Sequence, residues 1–284
     1  MKNLKPFSGD ITIFFEDVLK SKKNTTKDPT YKSRVEILRP DVISKFKEYE
    51  LCYSSNKLVT LSAFGFVTQN KSDLIKLYSY SGAKFKKLKE LITTFADNRI
   101  VNTCQNCTIN EVGTFDHFLP KGEFPEFAVN PKNLFPSSGS CNGYKNEIWR
   151  HSGKTMFLNL YLNILPEEQY LFTEVNIDGD TISVKFTVEN KNNIEVNLFE
   201  IISNHYDKLH LPERFSANSS DIIVELKNTI KASKLILTKI QTLEIISAKI
   251  KDDKLFFGNN YWKSILSEAI IKNNDLMELF FSKS

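Results

Sequence analysis

Cys104-Gln-Asn-Cys107, Phe115-Asp116-His117-Phe118-Leu119-Pro120-Lys121, Asn133-Leu134-Phe135-Pro136 and Cys141-Asn142-Gly143-Tyr144-Lys145 follow one another in a segment whose texture differs from its surroundings. Written as spacing, the stretch is C-x2-C-x8-D-H-x15-N-x8-N-x2-K. Residues 101–150 hold three of the four cysteines, four of the nine prolines and the only Asp-His pair, which marks them off from both flanks. Singly, each residue has an ordinary explanation. An Asp-His pair is common, Asn133 and Asn142 suit turns or caps, and Lys145 suits a solvated helix face. In this order and spacing they read as one site.

The flanks read mainly as helix. Pro40-Asp41 gives a helix start followed by Val42, Phe46 and Tyr49, and Ser72-Asp73 opens a shorter helix through Leu74 and Leu77. Phe85, Leu88, Ile92 and Phe95 recur at helical spacing beside Lys84, Lys86, Lys87 and Lys89. Beyond the central segment, Gln169–Val188 alternates apolar and polar residues around Asp178-Gly179-Asp180, a β-hairpin signal. Ser219-Ser220-Asp221 caps a periodic stretch (Ile223, Leu226, Ile230, Leu237, Ile240) that predicts a helix towards Ile250, and Tyr261–Phe281 predicts a last helical segment. The domain reading is a basic helical region 1–100, a core 101–150, and a hairpin-plus-helix region 151–284 with length to spare for docking a partner.

Composition narrows the class. The 284 residues are 41% hydrophobic and 25% charged, values that exclude a disordered or collagen-like chain. The longest apolar stretches are interrupted: Met156–Leu165 by Asn159 and Asn163, Leu235–Ile250 by Lys239, Glu244 and Lys249. None approaches the ~20 residues of a membrane span. Met1–Asp10 has no signal-peptide pattern, and four cysteines are too few for a disulfide scaffold, so the expected compartment is the bacterial cytoplasm with reduced or metal-bound thiols. Residues 1–100 carry 19 Lys and Arg against 11 Asp and Glu, a net +8 in a chain of net +4. That arm suits a polyanion, with its Lys84, Lys86, Lys87 and Lys89, together with Arg150 beyond it, as candidate backbone contacts. A lysine-rich solvated surface explains the same charge.

The central segment resembles the HNH endonuclease superfamily, whose ββα-metal motif has this order. It is closest to a bacterial subgroup with D-H-F-L-P-K, Y/F-P-E, N-P-x-N-L and C-N-x-x-K. Those elements stand here as Asp116–Lys121, Phe124-Pro125-Glu126, Asn130-Pro131-Lys132-Asn133-Leu134 and Cys141–Lys145. The resemblance covers about residues 104–145 only. It implies an α+β, mainly helical protein with a central ββα core and a β-hairpin after it. It further implies a metal-dependent nuclease in which Asp116 and Asn142 bind Mg²⁺ (or Mn²⁺) and His117 is the general base. Asn133 would hold the His117 loop, and Lys145 would face the same phosphate. Adjacent strand residues point to opposite faces, so a local bend would be needed to bring Asp116 and His117 to one phosphate.

The resemblance also implies a four-thiolate structural zinc site, and here the chain departs from it. Ser138 stands where the third cysteine would be, which weighs against zinc retention. Cys104, Cys107 and Cys141 could still bind zinc with His151 or water, or could be packed as buried thiols. Members of the subgroup occur beside an ABC/SMC-type ATPase in phage-defence systems such as Septu, so an ATPase partner and an antiviral role are expectations. DNA is the expected substrate. RNA remains the alternative, as does a zinc-knuckle nucleic-acid-binding module without catalysis.

Overall fold

A computed structural model describes residues 1–94, 102–179 and 181–282. Its helices dominate three small antiparallel sheets, making a mainly helical α+β protein. The chain divides into two compact units, one of residues 3–164 and one of residues 165–284 with Met1 and Lys2. The basic helical region and the motif segment therefore share a unit.

In the first unit, α1 (Ile11–Ser21) starts at Asp10, whose carboxylate accepts from the Thr12 and Ile13 amides. Helix α2 (Tyr31–Ser54) does not begin at Pro40 as expected but runs through it. Proline removes one helical hydrogen bond. The buried stripe is nonetheless continuous across it, with Tyr31, Val35 and Leu38 before and Val42, Phe46 and Tyr49 after, and that burial carries the helix past the break. Helix α3 (Thr68–Leu77) likewise starts earlier than Ser72-Asp73. Asp73 is no cap but a buried carboxylate gripped by Arg34, with Nε and Nη2 at 2.7 and 2.9 Å. Helix α4 (Ala83–Thr93) buries Phe85, Leu88 and Ile92, while Phe95 lies outside the described residues.

The motif segment forms strands β1 (Thr114–His117) and β2 (Leu134–Ser137), paired antiparallel from Thr114↔Ser137 to His117↔Leu134, followed by helix α5 (Gly139–Lys145) packed on β1. A two-residue pair, β3 (Arg150–His151) with β4 (Lys154–Thr155), follows it.

In the second unit, β5 (Leu171–Asp178) and β6 (Thr181–Val188) form the expected hairpin, with Gly179 at φ +58° in the turn; Asp180 lies outside the described residues. Helices α6 (Val196–Lys208), α7 (Leu211–Ala217), α8 (Ser219–Ser233), α9 (Lys239–Phe257), α10 (Trp262–Lys272) and α11 (Asn274–Ser282) complete it. The stretch expected to run from Ser219 to Ile250 is thus two helices. Thr238 and Gln241 form a reciprocal capping box that starts the second. Trp262 stacks on Phe215 and meets Phe186 edge-on at the centre of this unit.

Candidate active site

β1 delivers Asp116 and His117 side by side, and the chain then loops through residues 118–133 before pairing back as β2. Fully buried Asn133 closes the loop. Its Oδ1 accepts from the Leu119 amide at 2.8 Å, its Nδ2 donates to the Leu119 carbonyl at 3.0 Å, and its own carbonyl accepts from the Phe118 amide at 2.9 Å. The two side-chain bonds imitate one rung of a strand ladder, so the backbone after His117 is fixed by a side chain.

His117 is buried, its Nε2 2.9 Å from the Ala128 carbonyl oxygen. A carbonyl only accepts, so the proton sits on Nε2 and the imidazole lone pair is on Nδ1. Tyr78, just after α3, meets the imidazole in an edge-to-face pair at 4.8 Å between centroids. The Tyr78 hydroxyl both accepts from the Phe115 amide and donates to the Phe115 carbonyl, at 3.2 and 3.3 Å, gripping β1 one residue before Asp116. Burial pushes the His117 pKa down to about 3; Lys121 and Lys145 add to this and the Ala128 bond opposes it. The ring is neutral at physiological pH.

Asp116 turns the other way, towards α5, where the Lys145 ammonium lies 3.1 Å from Oδ1. Burial raises the Asp116 pKa, with Lys145 pulling against it. The same ammonium donates to the His117 carbonyl at 2.7 Å. Lys145 is therefore committed to the protein: its side chain is 4% exposed and is held between the two adjacent residues of β1. The expected phosphate-facing role does not match this placement, because a buried ammonium must keep its partners. Asn142, one turn earlier on α5, is half-buried, and its carboxamide makes no hydrogen bond among the described residues.

The thiols converge. The sulfurs of Cys104, Cys107 and Cys141 are buried and lie within 4.8 Å of one another, an arrangement that can hold a metal ion. A tight turn brings the first two together, with the Thr108 amide donating to the Cys104 carbonyl at 2.7 Å. Hydrogen bonds from Cys104 and Cys141, helped by the Asn110 and Ile109 amides, lower the Cys107 thiol below its ordinary value, while contact with the neighbouring thiols raises those of Cys104 and Cys141. Ser138 is occupied as the N-cap of α5, accepting from the Cys141 amide at 3.2 Å. His151 is exposed on β3 and does not join the cluster.

The five candidate nucleic-acid contacts differ in freedom. Lys84 is paired with Asp17 at 2.7 Å, and Lys89 donates to the Val112 carbonyl at 3.3 Å. Lys86 and Lys87 are exposed, with no ion pair among the described residues. Arg150 is paired with Glu123 at 2.9 Å and packs over Trp149. Sequence reasoning gave no role to Tyr78, to the Ala128 carbonyl or to Lys121. The last stands inside the quoted motif, but nothing local marks the other two.

No family profile and no solved structure matches the chain. It is similar to protein ea31 of Escherichia phage lambda, 25% identical over 262 residues that span 83% of this chain and 86% of that protein. No helix among the described residues is long and apolar enough to cross a membrane.

Proposed function

We propose that the chain is a metal-dependent endonuclease that hydrolyses phosphodiester bonds, with DNA as the substrate. The observation that carries this reading is the β1–β2–α5 unit, with Asp116 and His117 ending β1, the Asn133 clasp behind them, and Asn142 and Lys145 on the helix. His117 has one nitrogen occupied by Ala128 and a lone pair left on the other, the form a general base requires. Its Nδ1 takes the proton from a water attacking phosphorus, while Asn133 and Lys145 keep its backbone still. Burial holds the pKa of His117 down to about 3. An arriving phosphate, being anionic, offsets the Lys121 and Lys145 charges and raises it. Asp116 and Asn142 offer oxygen donors only, the set that Mg²⁺ or Mn²⁺ accepts. Such an ion would supply Lewis-acid stabilisation of the charge on the phosphoryl and leaving oxygens.

The three thiols suit a structural zinc ion, with water as the fourth ligand in place of Ser138. The second unit contributes none of these residues. Docking to an ABC/SMC-type ATPase in antiviral defence is the role that the family resemblance supplies for it.

Plasmid cleavage with Mg²⁺ or Mn²⁺ tests the assignment. Because the ring is buried, His117→Gln is the informative variant: its amide can still donate to the Ala128 carbonyl, but it offers no basic nitrogen. It should lose ~10²–10⁴-fold in rate. Cutting at the wild-type rate would overturn the reading.

A further inference from the structure

We propose that Lys121 makes the substrate phosphate contact of this site, and that the face of Tyr78 is the platform from which it does so. The inference rests on the endonuclease reading and adds a residue to it.

The nucleic-acid backbone carries a negative charge at every phosphate, so a free cation close to the base can position it. Lys145 cannot serve, because its ammonium is buried and already shared by Asp116 Oδ1 and the His117 carbonyl. Lys121 follows His117 by four residues on the loop that Asn133 clasps, is half-exposed, and makes no ion pair or hydrogen bond among the described residues. Its Nζ instead lies 5.1 Å from the centroid of the Tyr78 ring, and that ring meets His117 at 4.8 Å. Lys121 and His117 therefore both contact the Tyr78 ring, which links the cation to the base.

The local chain keeps the lysine in place while leaving its tip free. Pro120 fixes the backbone just before it. The Pro120 carbonyl accepts from the amides of Glu123 and Phe124 at 3.0 and 2.8 Å, closing a turn around Lys121. A cation over an aromatic face is held only weakly at an exposed site. An ammonium resting there moves to a phosphate at little cost, which a carboxylate partner would oppose. Tyr78 in turn is anchored by its hydroxyl to both backbone groups of Phe115, so the platform is fixed relative to β1.

The test compares Lys121→Gln and Lys121→Arg. Neither change breaks an ion pair or hydrogen bond among the described residues, so both should fold as the wild type does. In a His117→Gln background, which should cut ~10²–10⁴-fold more slowly, binding of a short DNA duplex is measured against salt. Lys121→Gln should lower the log–log slope by ~0.9, the value for one lost duplex phosphate contact. Lys121→Arg should restore it. In the cutting protein, Lys121→Gln should raise KM more than it lowers kcat, again with recovery in Lys121→Arg. An unchanged slope, or no duplex binding at all, overturns the phosphate contact. If the slope falls as expected while the wild type never cuts, the contact stands and the nuclease reading fails. If the wild type cuts and Lys121→Gln cuts identically, the nuclease reading stands and this inference fails.

Discussion

Lys145→Met is the substitution on which the account of the candidate site depends most directly. The two chains are of similar volume, so packing against Phe157 is largely kept and the change isolates the ammonium. That ammonium serves Asp116 at 3.1 Å and the His117 carbonyl at 2.7 Å, with side-chain exposures of 4% for Lys145 and 7% for Asp116. At such burial, removing one partner strands the other charge, a loss of ~3–5 kcal/mol. A surface pair would lose under ~1 kcal/mol, so the magnitude decides between the two descriptions.

Asp116→Asn should cost less, because Lys145 retains the His117 carbonyl. The double variant Lys145→Met/Asp116→Asn leaves no unpaired charge and should cost less than the two single changes summed, by at least ~1 kcal/mol. Urea unfolding followed by tryptophan fluorescence measures this. The chain has two tryptophans, one in each unit. In a Trp262→Phe background the signal comes from Trp149, which is buried in the unit that holds the pair. A Lys145→Met loss within ~1 kcal/mol of zero, or strict additivity in the cycle, would refute the buried pair.

Two further outcomes are expected. Protein purified without added metal should carry one zinc per chain, and Cys104→Ser should lower both the zinc content and the stability of the first unit, since a structural zinc ion contributes folding free energy. Zinc well below one per chain would mean three buried reduced thiols. Glu126 is fully buried, with Oε1 accepting from the Phe64 amide at 2.7 Å and Oε2 without a hydrogen-bond partner among the described residues, and burial holds its carboxyl above the ordinary 4.5. The folded chain then binds this proton more tightly than the unfolded chain. Its contribution to stability is therefore present below about 4.5 and is lost as pH rises through the folded pKa. Glu126→Gln should reduce the fall in urea stability between pH 4.5 and neutrality, and an unaltered pH profile would count against a raised carboxyl.

What could be read from the chain was whatever short-range order encodes. The spacing from Cys104 to Lys145 marked off the β1–β2–α5 unit, and the alternation around Gly179 specified the hairpin. The readings that failed share a cause: a local signal was overridden by a contact from far along the chain. Pro40 is a good helix start in isolation, yet burial on both sides of it keeps α2 continuous. Asp73 resembles a cap, yet Arg34, 39 residues earlier, draws it inside. Lys145 has the spacing of a solvated lysine, but β1 supplies a carboxylate and a carbonyl that bury it. The same logic explains why Tyr78 was invisible. Its hydroxyl acts on Phe115 and its ring on His117, and nothing between residues 78 and 115 records that they meet. A motif lists the groups that touch a substrate, because chemistry restricts their identity and order. The residues that aim those groups need only arrive with the right shape, from any position in the chain, and Tyr78 arrives from outside the motif entirely.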